Sequence, residues 1–202
     1  MLEFIQQGGV IMYILLLASI VALTIIIERA WSLRRSAVIP LDDVQGVELA
    51  VRSGDVQRAH QLCRQQDTPM GRILTVALAN SGVKRSVLKE IIEETGRQEV
   101  ARMERFINIL GIIAATAPLL GLLGTVVGMI EVFHQISLVG VGKADVLAGG
   151  ISMALNTTAM GLSVAIPSLV AYRFFDARVD RFVVEIEQHA IRFVELLKGD
   201  RG

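Results

Sequence analysis

The chain has 202 residues, of which 20 are basic and 20 acidic, so its formal net charge is zero, while 52% of its residues are hydrophobic. This balanced charge gives no sign of a nucleic-acid partner. Cys63 is the single cysteine, which excludes a disulfide framework or a multi-cysteine metal site within one chain. The mean hydropathy is +0.55, and the apolar residues are gathered into long blocks, which predicts an integral membrane protein.

Three blocks without charged residues, 8–27, 106–130 and 146–172, contain 20, 25 and 27 residues. About 20 helical residues cross a hydrocarbon core, and a backbone in lipid must satisfy its own hydrogen bonds. No Lys or Arg precedes the first block and no small-residue cleavage site follows it, so we expect a retained helix rather than a signal peptide. The predicted fold is an all-α integral membrane protein with three transmembrane helices.

Basic residues set the predicted orientation. Residues 29–105 hold 13 Lys and Arg and residues 173–202 hold 6, whereas the loop after the second block has only Lys143. By the positive-inside rule the two basic segments are cytoplasmic. The predicted layout is a periplasmic N-terminus (1–7), a first transmembrane helix (8–28), a helical cytoplasmic region (29–105), a second transmembrane helix (106–130), a periplasmic loop (131–145), a third transmembrane helix (146–172) and a cytoplasmic helical tail (173–202).

The cytoplasmic region begins with an anchor for membrane lipid. Trp31 suits the headgroup layer, and three nearby arginines suit an anionic inner leaflet: Arg29, Arg34 and Arg35. Pro40 ends the helix there, and the pattern then predicts three short helices, which start near Leu41, Val56 and Pro69.

The second and third transmembrane helices are predicted to extend into the cytoplasm. The stretch before the second block runs without Pro, which predicts one helix from about Ser86 to about Phe133. After the third block, apolar residues recur at three- and four-residue steps: Phe174, Val179, Phe182, Val183, Ile186, Ala190, Phe193 and Leu197. A one-sided apolar stripe in water needs a partner surface. Neighbouring copies of the chain would supply one, so we expect a homo-oligomer.

Small residues and prolines punctuate the second and third spans. Small residues four apart let helix backbones approach closely in lipid, and a proline inside a helix removes a hydrogen bond and favours a kink. We assign six residues to helix packing or kinking: Pro118, Gly121, Gly124, Gly128, Gly161 and Pro167.

The third span also contains three adjacent polar residues, Asn156, Thr157 and Thr158, and the second span contains Thr125. Consecutive residues step about 100° around a helix, so the three side chains cannot all face one neighbour. Polar groups inside a membrane are costly and mark ion or substrate routes, which makes these four residues a candidate ion pathway. Interhelical hydrogen bonding is the alternative interpretation, and Thr125 can also bond its own helix carbonyl.

Enzymatic chemistry finds no support in the spans. The three blocks contain no Asp or Glu, and His60, His134 and His189 are scattered without metal-ligand spacing. We therefore expect no metal site, no cofactor and no enzyme activity.

Two stretches, "APLLGLLGTVVGMIEVF" and "GGISMALNTTAMGLSVAIPSLVAY", resemble the MotA/TolQ/ExbB proton-channel family and lie closest to its ExbB/TolQ branch. The resemblance implies a bacterial inner-membrane subunit that couples ion flow to mechanical work in the cell envelope. It also implies a pentamer around a dimer of an ExbD/TolR-like, single-span partner that carries an essential membrane Asp. The family's pore threonines correspond to Thr125 and Thr158, and its motif prolines to Pro118 and Pro167.

Met153 stands where well-known ExbB and TolQ proteins have a membrane Glu, so every titratable step must use the partner's carboxylate. The adjacent threonines resemble sodium-driven members of the wider family, and hydroxyl and carbonyl oxygens can bind a hard cation. We expect proton transport, with sodium as the alternative ion. The alternative function is a structural membrane scaffold that does not conduct.

Overall fold

The computed structural model describes residues 9–65, 67–139 and 144–199, and the regular elements within those ranges are all helices. They follow in chain order as α1 (Gly9–Ser32), α2 (Arg35–Val38), α3 (Leu41–Arg52), α4 (Val56–Arg64), α5 (Pro69–Ala79), α6 (Arg85–Glu104), α7 (Ile107–Val139) and α8 (Ala144–Lys198). Among the described residues, α1, α7 and α8 are long and apolar enough to cross a membrane. The predicted all-α fold with three such helices is therefore confirmed.

The helices form two compact units. The first contains Met1–Glu28 and Phe106–Phe174, and the second contains Arg29–Arg105 and Phe175–Gly202. Large apolar side chains are exposed along all three helices of the first unit, including Leu17, Leu23, Leu119, Leu122, Ile130, Leu155 and Ile166. Such a surface suits lipid or other transmembrane helices rather than water.

Two helix boundaries differ from prediction. The expected single helix from about Ser86 to about Phe133 is wrong, because α6 ends at Glu104 and α7 begins at Ile107. Arg105 keeps helical backbone angles (φ −45°, ψ −44°) and neither Pro nor Gly occurs there, so the sequence carries no breaker signal. At its other end α7 continues to Val139, and therefore most of the predicted 131–145 loop is helical. The part at 140–143, with Lys143, lies outside the described residues.

The three predicted short helices occur as α3, α4 and α5, and side chains define two of their starts. The Asp55 carboxylate accepts a hydrogen bond from the Arg58 amide at 2.9 Å, and the Thr68 hydroxyl accepts one from the Gly71 amide at 3.1 Å. Both are N-caps, which satisfy amides that a helix leaves without internal partners. Gly54 provides the positive φ (+77°) of the turn before α4.

The apolar stripe on the C-terminal half of α8 is largely buried within the second unit. Its buried members include Val179, Phe182, Ile186, Ala190 and Phe193. The helix end is also held to the turn before α6, since Lys198 Nζ donates to the carbonyl oxygens of Ser81 and Val83. Most of the stripe thus finds its partner surface in its own chain, although Phe174 is exposed. The buried part gives no support to the homo-oligomer that we expected.

A buried carboxylate lies at the centre of the second unit. Glu99 is only 3% exposed, and its two oxygens accept hydrogen bonds from Arg72 Nη2 and Arg102 Nη1, each at 2.6 Å. The hydrogen bond from Arg72 to Glu99 raises the pKa of that guanidinium above its ordinary value. Arg29, at the end of α1, donates to the carbonyl oxygen of Met103 at 2.9 Å nearby on α6. The Glu99 contacts join α5 and α6, and Arg29 adds a second contact to α6 within the same unit.

We expect Glu99→Gln to lower the free energy of unfolding by about 1–3 kcal/mol, because two guanidinium groups lose a charged hydrogen-bond acceptor. Urea unfolding of the purified protein in detergent measures the change. Glu93→Gln is the matched control, since Glu93 pairs with Arg97 on the exposed face of the same helix and such pairs contribute less than about 1 kcal/mol. Equal effects of the two substitutions would contradict a special role for Glu99.

Cys63 on α4 is an inert thiol. It is buried, and desolvation raises its pKa from an ordinary 9.0 to about 11, an effect that a hydrogen bond with Thr75 partly offsets. The thiolate is the reactive form of cysteine. Burial therefore suppresses its chemistry both by blocking access and by holding the proton.

At pH 8 the folded protein should react with iodoacetamide at least about 100-fold more slowly than the urea-unfolded chain, because a pKa of about 11 instead of 9.0 leaves about 100-fold less thiolate. Mass spectrometry of the alkylated chain measures the rates. The same difference means that the unfolded state releases its proton first between pH 9.0 and about 11, so stability falls as pH rises through that window. Rapid alkylation of the folded protein would show that Cys63 is accessible.

Candidate ion pathway at the second and third spans

Glycines bring the backbones of α7 and α8 into direct contact. A methyl group added at Gly121 would lie 3.0 Å from the carbonyl oxygen of Thr157 and 3.1 Å from Thr158 Cα, and one added at Gly128 would lie 3.1 Å from Ala154 Cβ. No side chain therefore separates Gly121 from the backbone of α8, and Gly128 lies against both the Ala154 methyl group and the Gly150 carbonyl oxygen. In lipid, such contact replaces the hydrophobic effect as the source of helix association.

Gly161 on the third span also lies against backbone atoms of the second span. A methyl group at Gly161 would lie 2.6 Å from the carbonyl oxygen of Ala117, which directly precedes Pro118. Pro118 and Pro167 both lie inside continuous helices. Because proline has no amide proton, each removes one backbone hydrogen bond from its helix.

Thr158 makes a hydrogen bond from α8 to α7. Its hydroxyl donates to the carbonyl oxygen of Gly121 at 3.2 Å, and its side chain is half-buried. Thr125 is half-buried too, and its hydroxyl donates to Leu122 O within its own helix at 2.6 Å. In an α-helix the amide of Thr125 also points at Gly121 O, four residues earlier. The Thr125 backbone amide and the Thr158 hydroxyl therefore point at one carbonyl group, whereas the Thr125 hydroxyl bonds the next one.

Thr157 is in a different environment from Thr158. It is 0% exposed, and its hydroxyl donates to Ala154 O at 2.9 Å, with Met153 O at 3.2 Å. The side chain fills the space that Gly124 leaves on α7, where a methyl group would lie 2.5 Å from Thr157 Cβ and 3.0 Å from Thr157 Cγ2. Hydroxyl groups of neighbouring residues are thus separated, as the 100° helical step requires.

Asn156 lies on a third side of α8. It is half-buried, and its side-chain amide donates to Ser152 Oγ at 3.4 Å, which is a long hydrogen bond. Ser163, which the helical repeat places on the same side, is exposed and donates to Ala159 O at 2.8 Å. An amide carries two donor protons and two acceptor positions, so Asn156 keeps hydrogen-bonding capacity on a face that a membrane would otherwise surround.

The second and third spans contain no Asp or Glu. Met153 is half-buried, and its methyl group lies 3.1 Å from the position of a methyl group added at Gly9. Among the residues that the structure describes, no group of three His, Cys, Asp or Glu side chains could hold a metal ion. The pathway residues can donate and accept hydrogen bonds and can offer neutral oxygens to a cation, but they cannot titrate near neutral pH.

These observations describe a helical membrane protein with polar side chains inside closely packed spans. Residues 65–188 match the MotA/TolQ/ExbB proton channel family. The chain is 38% identical over 177 residues to the biopolymer transport protein ExbB-like 1 of Synechocystis sp., covering 86% of this chain and 69% of that protein. It is 30% identical over 176 residues to the Tol-Pal system protein TolQ of Pseudomonas aeruginosa, covering 84% of this chain and 71% of that protein.

The chain belongs to the MotA/TolQ/ExbB proton channel family. Its similarity to ExbB and TolQ proteins places it on the ExbB/TolQ branch. It is therefore an energy-transducing subunit of ExbB/TolQ type in a family of transport proteins rather than enzymes. With three helices able to span a membrane, it is an inner-membrane protein.

Gly161→Ala should lower the unfolding free energy by about 1–3 kcal/mol, because the new methyl group overlaps a backbone oxygen that cannot move aside as a side chain would. Thermal unfolding in detergent, followed by circular dichroism, measures it. Gly149→Ala on the same helix is the control, since a methyl group there meets nothing within 4 Å. If both variants unfold like the wild type, α7 and α8 are not in close contact at Gly161.

Proposed function

We propose that the chain is the ion-conducting subunit of an energy-transducing complex, in which ion flow across the inner membrane drives mechanical work in the cell envelope. The observation that carries this proposal is the hydrogen bond from Thr158 to the Gly121 carbonyl, with Thr125 one helical turn beyond it. Intramembrane polar groups are costly, and here the Thr158 hydroxyl is bonded at the contact of two helices, while the Thr125 hydroxyl bonds the next carbonyl of α7, that of Leu122. The proposed route is lined by Thr125, Thr158 and Asn156.

The proposed complex contains a second protein that supplies a carboxylate. The spans of this chain have no Asp or Glu, so a proton relay through them has no titratable member. An ExbD/TolR-like partner with one span and one membrane Asp would complete it. Thr125 and Thr158 would then orient water or the ion beside that carboxylate.

The proposed assembly is a pentamer of this chain around two partner chains, with the N-terminus in the periplasm and the C-terminus in the cytoplasm. The orientation is supported by the distribution of basic residues, 19 of which lie in segments 29–105 and 173–202. The pentamer is supported by family membership alone.

The proposed ion is the proton, and sodium is the alternative. Neutral oxygens at Thr158, Thr125 and Gly121 could bind a hard cation without changing protonation. Either ion releases about 2.3 kcal/mol per charge at 100 mV, so a few ions suffice to break and remake a modest protein interface.

Thr158→Val should reduce partner-dependent ion flux by at least about tenfold, because it deletes the hydroxyl that reaches Gly121 while retaining the side-chain shape. Flux is measured in proteoliposomes that contain the complex, with a membrane potential and with a pH-sensitive and a sodium-sensitive dye. Replacing sodium by potassium in the same assay decides the ion, since only sodium-driven flux would stop.

Thr24→Val is the matched control for Thr158→Val, because Thr24 donates to Ile20 O within α1 and should be silent. Oligomer size is measured by size-exclusion chromatography with light scattering. Intact flux in Thr158→Val would overturn the proposal. A smaller oligomer with normal flux per assembled complex would favour the scaffold alternative.

A further inference from the structure

Thr157 presents a question that the proposed ion route leaves open. Its neighbour Thr158 reaches a carbonyl on α7, yet Thr157 is completely buried and its hydroxyl bonds only carbonyl groups of its own helix. A hydroxyl that donates in this way has no proton left for α7, and its complete burial keeps its oxygen away from an ion. Its contact with α7 therefore depends on shape rather than on hydrogen bonding.

The Thr157 side chain packs against α7 at Gly124, where the missing side chain leaves a gap. The three atoms nearest to a methyl group added at Gly124 are all side-chain atoms of Thr157, at 2.5 Å for Cβ, 3.0 Å for Cγ2 and closer still for Oγ1. Any side chain at Gly124 would thus need the space that Thr157 occupies. Thr157 and Gly124 form a knob-and-notch packing unit. The Thr157 side chain (the knob) fits against α7 only because Gly124 (the notch) has no side chain.

This packing unit adjoins the hydrogen bond of the proposed route on both helices. Gly121 is three residues before Gly124 on α7, and Thr158 directly follows Thr157 on α8. A helix is stiff over one turn, so the depth at which Thr157 enters the notch fixes the distance between the Thr158 hydroxyl and the Gly121 carbonyl, which is 3.2 Å. Adding or removing one methyl group at the notch would change this distance while the backbone of each helix stayed intact.

We infer that Thr157 is a positioning residue: it sets the spacing and register of α7 and α8 through Gly124, and so places Thr158 against Gly121, without itself contacting the ion. The inference rests on the proposed function for its meaning in conduction. The packing itself is independent of that function. Thr157 is accordingly removed from the predicted set of residues that line the route.

The decisive substitution is Thr157→Val, which retains the side-chain shape and deletes the hydroxyl. Flux in proteoliposomes should stay within about twofold of the wild type, because the hydroxyl bonds only its own helix. Thr158→Val, assayed beside it, should lose at least about tenfold. Loss of flux in Thr157→Val, with the oligomer intact and the wild type conducting, would place the Thr157 hydroxyl on the route and overturn the inference.

A size exchange tests the positioning role directly. Gly124→Ala should lower both the unfolding temperature and flux, the latter by at least about tenfold, because the methyl group and Thr157 claim one space. The double variant Gly124→Ala with Thr157→Gly moves the bulk from α8 to α7, and should recover both quantities to within about threefold in flux. Absence of recovery in the double variant would contradict the knob-and-notch unit.

The unfolding temperature separates this inference from the proposed function. If the wild-type complex does not conduct, the proposed function fails, but Gly124→Ala should still unfold earlier and the double variant should still recover. If the wild type conducts and the unfolding temperatures of all three variants are equal, the packing inference fails and the proposed route remains.

Discussion

The close contact of α7 and α8 is the constraint on which the rest of the membrane unit depends. Two glycines on α7, Gly121 and Gly128, and two on α8, Gly150 and Gly161, bring backbone atoms of the two helices to within the reach of a single methyl group. Lipid supplies no hydrophobic force between helices, so the contact must hold through dispersion and hydrogen bonds at short range. Thr158 can donate to Gly121 only because no side chain separates the backbones there.

Much of the fold could be predicted because membrane spans are governed by length and by the absence of charge. The limits lay in features that depend on tertiary contacts. The interruption between α6 and α7 has no Pro or Gly to announce it. The apolar stripe of α8 predicted a partner surface correctly, but periodicity cannot say whose surface it is, and Phe182 and Phe193 proved to be buried in their own chain.

At the candidate site too, the sequence predicted which residues are unusual but not which contacts they make. Sequence reasoning picked out Thr125, Thr157 and Thr158 by their polarity in lipid, and the helical step predicted that adjacent residues diverge. Which of them would meet a glycine and which a carbonyl depends on the register of α7 against α8, which no local pattern encodes. Glu99 was missed because a carboxylate within a mixed charged helix looks solvent-exposed; its spacing of three residues from Arg102 was the one available signal.

The carboxylate-free spans, with Met153 near the start of α8, have a consequence for how such a complex diversifies. On the proposed function, a subunit that offers only neutral oxygens leaves the acid strength at the crossing point to the partner chain. Replacing the partner chain by another would then alter the pH range over which the complex works, while this subunit stayed unchanged. The group that titrates and the residues that line the route would then be encoded by separate genes.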